Sequence, residues 1–222
     1  MATSLTETLT ESVKPRLRGW LHAGTLPVAL VAGFVLVALG PTPEARLAAV
    51  VYAITSGLLF GISATYHRGK LSPRLEEVLR RLDHANIYLI IAGTYTPFAL
   101  LALEGVAGAV VLGVIWSGAI AGVLFRVLWT GAPRWLSTAL YIGLGWTAVF
   151  VLPQLVEGAG MVAVALLFLG GVLYTAGGIV YGMRRPDPSP GWFGFHEVFH
   201  AFTVAAYLAQ YVAVSLVVYA AA

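Results

Sequence analysis

The sequence predicts an all-α integral membrane protein, a bundle of seven transmembrane helices. Three observations carry that expectation. First, the 222 residues are 59% hydrophobic and 10% charged, whereas soluble domains carry about 25% charged residues. So few charges cannot cover a water-facing surface. Second, the chain contains seven mostly apolar stretches of about the 20 residues that a bilayer crossing needs. Third, every Lys and Arg except Arg46 falls in the N-terminal tail or in the connections after the second, fourth and sixth stretches.

The seven stretches lie at roughly 20–39, 47–67, 83–103, 107–129, 135–152, 160–182 and 195–219. Proline and glycine punctuate the connections between them. Examples are Gly40-Pro41-Thr42-Pro43, Ser72-Pro73, Gly131-Ala132-Pro133 and the run Arg185-Pro186-Asp187-Pro188-Ser189-Pro190-Gly191. Residues 1–19 read as a polar cytoplasmic tail and 20–219 as the transmembrane domain. No cleavable signal peptide is expected, because the first apolar run is long enough to span. A β-barrel is disfavoured, since the stretches are too long and too uniformly apolar for alternating strands.

The basic residues set the orientation. The positive-inside rule places the N-terminus in the cytoplasm and the C-terminus outside. The excess of 13 Lys and Arg over 10 Asp and Glu then reports topology rather than nucleic-acid binding. The absence of cysteine excludes disulfides, thiolate metal sites and a Cys nucleophile. A retinal protein is disfavoured because both lysines, Lys14 and Lys70, lie outside the apolar stretches.

Polar residues inside a membrane are costly and mark function by default. The five histidines, His22, His67, His84, His196 and His200, all fall near the cytoplasmic ends of their stretches. His196 and His200 are four residues apart, hence on one helix face. That spacing lets two imidazoles share one metal, although two interfacial histidines with no ligand would look the same. A polar stripe continues through Thr203, Tyr207 and Gln210, as expected of a face turned toward a cavity. Ser63 and His67 also share a face. Asp83 opens the third stretch, where an acid is favourable at a helix N-terminus in any case. His84 is about 100° around the helix from Asp83 and is left outside the site. His22 has the right depth but no paired motif, and reads as an interfacial histidine with its own partners. Together, three histidines and one carboxylate at a common depth match a catalytic zinc site with one position open for water.

These residues resemble a known family. Ser63-x-x-x-His67, Asp83 and His196-x-x-x-His200 on seven helices are similar to the hemolysin III branch of the progestin and adiponectin receptor family. The text Leu-Asp-His-Ala-Asn-Ile-Tyr, Ala-Gly-Thr-Tyr-Thr-Pro and Gly-Phe-His-Glu-Val-Phe-His resembles the bacterial branch. The wider group includes alkaline ceramidases. The resemblance implies that His67, His196 and His200 bind Zn2+, with Asp83 and Ser63 around the water at the metal.

The leading expectation is therefore a zinc-dependent hydrolase of a lipid amide in the bacterial plasma membrane. Asp83 would serve as general base, Ser63 as hydrogen-bond donor, and Thr203, Tyr207 and Gln210 would line the substrate cavity. Membrane lipids are the expected partners. The alternative is a non-enzymatic membrane sensor or lipid-homeostasis receptor with structural zinc. A pore-forming cytolysin and a bis-histidine haem protein stand behind both.

Overall fold

The computed structural model describes residues 15–129 and 131–221. Residues 1–14 of the expected tail lie outside the described residues. The chain is helical throughout. Its elements are α1 (Trp20–Ala38), α2 (Pro43–Arg68), α3 (Pro73–Leu101), α4 (Gly105–Leu128), α5 (Arg134–Gly145), a 3-10 segment (Trp146–Val151), α6 (Leu152–Met183) and α7 (Phe195–Ala220). Local chemistry explains several starts. Thr42 accepts the Ala45 N–H ahead of Pro43, and Pro73 stands in the first turn of α3, where its missing N–H costs nothing.

Among the described residues, five stretches are long and apolar enough to cross a membrane: α1, α2, α4, α7 and the continuous run Arg134–Met183. The sequence reading expected seven spans, and the difference has two physical causes. The expected span 83–103 lies in α3 up to the helix end at Leu101. That helix begins ten residues earlier, at Pro73, because Glu77 pairs with Arg80 and Arg81 along its first turns. Its inner face is also studded with Asn86, Thr94 and Thr96, all buried, which lowers its mean hydropathy. The expected spans 135–152 and 160–182 run into each other without a loop. The run passes through the 3-10 segment, and inside α6 the chain leaves helical geometry at Gly160, with φ +80° and ψ 156°, a conformation that glycine adopts without strain. Beyond it the chain returns along α5: the Trp146 indole donates to Thr175 Oγ1 at 3.0 Å, and Gly178 lies against Thr138, Tyr141 and Ile142.

The packing is inverted relative to a soluble protein. Phe34 and Phe150 are 72% and 86% exposed, while Thr55, Ser56, Thr94, Thr203 and Gln210 are buried. Lipid solvates the apolar exterior, and polar groups must find partners inside. Most hydroxyls do so on their own helix: Thr94 bonds Ile90 O at 2.8 Å, Thr96 bonds Ala92 O at 2.8 Å and Thr203 bonds Phe199 O at 3.0 Å. α7 touches α1, α2, α3 and α6, and α3 touches α2, α4, α5, α6 and α7. These two helices form the axis of the bundle. Four tryptophans, Trp20, Trp129, Trp135 and Trp192, are exposed at one end, the end that carries the histidines. Tryptophan gathers at membrane–water boundaries because its ring is amphipathic.

Candidate metal centre

Three helices converge on one point: the last turn of α2, an inner turn of α3 and the start of α7. Each is held by a local device. Gly19, at φ +78°, turns the incoming chain into α1 so closely over α2 that a Cβ there would meet His67 Cβ at 2.5 Å. The first turn of α7 is pinned by Glu197, which is 1% exposed. One carboxylate oxygen accepts the Gly194 N–H at 2.8 Å, and the other accepts from Arg18 Nε at 2.5 Å. Backbone bonds from Arg16 and Leu17 to Gly191 and Trp192 complete this strap. Breaking a buried ion pair by removing one partner costs about 3–5 kcal/mol, so the strap fixes α7 firmly.

On this frame His67, His196 and His200 bring one ring nitrogen each within 4.8 Å of the others, and all three are buried. His67 Nε2 and His196 Nε2 face each other at 3.1 Å. Two nitrogens about 2.1 Å from one tetrahedral ion would stand roughly 3.4 Å apart. The observed spacing is therefore close to that of two ligands on one ion. His200 Nδ1 is buried with no hydrogen-bond partner among the described residues, at a place where an ion would supply one. The three histidines can hold a metal ion.

Asp83 comes from α3, with Oδ2 at 3.7 Å from His67 Nε2 and a side chain 12% exposed. Ser63 lies one turn before His67 and interacts with the Asp83 carboxyl. The five residues singled out for the centre thus occupy one site. His84 does not join them. Its ring meets Arg80 O at 2.7 Å and Tyr181 Oη at 2.9 Å.

His22 differs from expectation. It is 2% exposed, and neither ring nitrogen has a hydrogen-bond partner among the described residues. Its ring lies flat on His200, with centroids 3.8 Å apart and planes 6° apart. The only sequence signal for this was the common depth of all five histidines. The Arg18–Glu197 strap had none beyond an acid in the first turn of α7.

A cavity runs inward from the centre between α3, α5, α6 and α7. It reaches from Asp83 to Tyr95 along α3, which at about 1.5 Å per residue is roughly 18 Å. Isoleucine, leucine and phenylalanine dominate its middle, among them Ile87, Ile91, Leu167 and Phe168. Thr203 and Gln210 line it, and Gln210 Oε1 accepts from Thr94 Oγ1 at 3.3 Å. Tyr207, expected on the same stripe, is not on the wall. It packs on Phe60 at 4.9 Å and Tyr52 at 6.1 Å. Seven residues from Thr203 to Gln210 fall about 20° short of two full turns, whereas four residues overshoot one turn by about 40°. Tyr207 therefore stands about 60° from Gln210, on the side of α2.

Comparison with known proteins places the chain among relatives. Residues 10–211 match the sequence model of a family described as haemolysin-III related. The chain is 34% identical over 163 residues to Hemolysin-3 of Bacillus cereus, a match that covers 73% of this chain and 71% of that protein. It is 32% identical over 156 residues to a Hemolysin-3 homolog of Bacillus subtilis (strain 168), covering 70% of each.

Proposed function

The chain belongs to the haemolysin-III related family, and from that membership we propose that this integral membrane protein is a zinc-dependent hydrolase of a lipid amide. The observation that carries the reading is the meeting of three buried imidazoles with a carboxylate and a serine hydroxyl at the head of an apolar cavity. Nitrogen ligands without thiolate suit zinc among the common divalent ions. Three protein ligands leave a position for water, the arrangement of catalytic zinc sites.

His67, His196 and His200 would hold the ion. Bound there, zinc supplies Lewis acidity, lowering the pKa of water and polarising a carbonyl. The remaining work falls to the chain itself. Asp83 takes a proton from the attacking water and returns it to the leaving amine nitrogen. The Ser63 hydroxyl donates to the oxygen on which negative charge develops. The acyl chain lies along Ile87, Ile91 and Leu167. A cavity of roughly 18 Å suits one acyl chain, since half of a hydrocarbon core about 30 Å thick is about 15 Å.

The reading includes seven crossings with the N-terminus in the cytoplasm and the C-terminus outside. The reversal at Gly160 supports counting Arg134–Met183 as two passes. The basic connections and the four exposed tryptophans at the histidine end support its cytoplasmic placement. The substrate then enters from the inner leaflet of a plasma membrane. One observation favours a second reading, a sensor with structural zinc: Asp83 is near enough to His67 to close the site as a fourth ligand.

Asp83→Asn separates the two readings. The hydrolase reading expects zinc to stay bound and turnover of a long-chain N-acyl amide to fall about 10²- to 10⁴-fold. Loss of zinc from Asp83→Asn would favour the closed site. Unchanged turnover would contradict the mechanism.

A further inference from the structure

The cavity has a second polar station that the metal centre does not use. Arg126, in the last turn of α4, lines the cavity beside α5. Its Nη1 donates to Ser137 Oγ at 3.2 Å, and its Nε is buried with no partner. No carboxylate stands within 4 Å of it among the described residues. The contrast with other basic residues at this end is sharp. Arg18 pairs with Glu197, Arg80 and Arg81 pair with Glu77, and Arg16 and Arg68 lie over the rings of Trp192 and Trp20. Asp83 is the one acidic residue on the cavity wall, and it faces His67 and Ser63 instead.

Arg126 is partly buried, and its buried Nε lacks a counter-charge, which favours an anionic partner. Its planar array of donors matches carboxylate and phosphate oxygens. Arg134, also on the cavity wall, adds a second cation, held 5.6 Å from the Tyr181 ring. Depth supports the same ligand. Trp129 and Trp135, exposed one turn or less from these arginines, mark the level of the lipid headgroups. Just inside, the wall turns apolar with Ile87, Ile91 and Ile142.

We propose that Arg126, with Ser137 and Arg134, binds the oxyanion of an amphiphile, a phosphate or carboxylate head whose single tail lies in the cavity. The site stands apart from the metal centre, and it depends neither on hydrolysis nor on zinc. An anion held there places the head of a lipid beside Tyr181, the residue that separates Arg134 from His196.

The test uses purified full-length protein in a neutral detergent, with bound lipid read by native mass spectrometry. Oleoyl lysophosphatidate and oleate are expected to bind at least 10-fold more tightly than uncharged mono-oleoylglycerol. Arg126→Gln should weaken both about 10- to 100-fold, as for loss of a charge-assisted hydrogen bond. Arg46→Gln, at the other end of the bundle, should change nothing. Ser137→Ala should weaken both a few-fold while leaving the charge in place, which keeps the test open if Arg126→Gln folds poorly. Equal binding of charged and uncharged lipids, or no effect of either variant, would overturn the proposal. Inorganic phosphate bound as tightly as lysophosphatidate would assign the station to a free anion and overturn its lipid half.

Discussion

The two ends of the bundle are built from the same apolar helices but spend their polar residues differently. At the histidine end, four imidazoles and an aspartate from α1, α2, α3 and α7 meet beside a buried glutamate, with His84 close by. At the other end the connections are short, and Arg46 spends its guanidinium on Gly40 O in its own loop at 2.8 Å. The outer surface of α1 shows what the helices cost without chemistry: Val31 and Phe34 simply face lipid. Burying polar groups in a bilayer is unfavourable. Their concentration at one end is therefore a sign of a site, and the rest of the fold serves to hold it.

That contrast can be broken most forcefully within one set of histidines. His200→Ala should abolish metal binding, while His84→Ala, next to Asp83 in sequence but bonded to Arg80 and Tyr181, should leave the metal stoichiometry unchanged. Metal analysis of both variants checks it, and equal losses would mean that depth alone, not convergence, matters.

The next effect in size concerns the strap. Arg18→Ala leaves Glu197 buried and unpaired, and is expected to cost about 3 kcal/mol, less whatever water reaches the one-fifth exposed Arg18 side chain. Thermal unfolding in detergent would show it. A neutral result would mean that α7 is positioned without the N-terminal segment.

Much of this arrangement was legible in the sequence. The i,i+4 spacings of Ser63 with His67 and of His196 with His200 fix shared faces, and the basic connections fix a common end. Other parts depend on contacts between residues far apart in the chain. Nothing local announces that His22 stacks on His200, because the stack needs α1 and α7 to touch. The sequence placed a boundary between 152 and 160 but not its form, because a helix continues on both sides of one positive-φ glycine, Gly160. Tyr207 was misplaced because a polar stripe read at steps of three and four spreads over more arc than one cavity wall. Arg126 was read only as a topology signal, since the sequence does not say which arginines have partners.

Smaller effects sharpen the picture further. Gly19→Ala forces a side chain into the left-handed region at about 1–2 kcal/mol, and pushes on His67 Cβ. It should lower both stability and metal affinity, the second readout setting it apart from an ordinary turn mutation. At the lipid-facing extreme, Phe34→Ala should change stability by about 0.5 kcal/mol or less, because no packed contact is lost. A large loss there would mean that this face of α1 is covered in the membrane.

The central claim is that His67, His196 and His200 form a metal centre, and metal analysis of gently purified protein tests it most directly. Wild type beside His196→Ala is the informative pair. One zinc per chain in the wild type, absent from the variant, is the expected result. No metal in either, or the same content in both, would contradict the account.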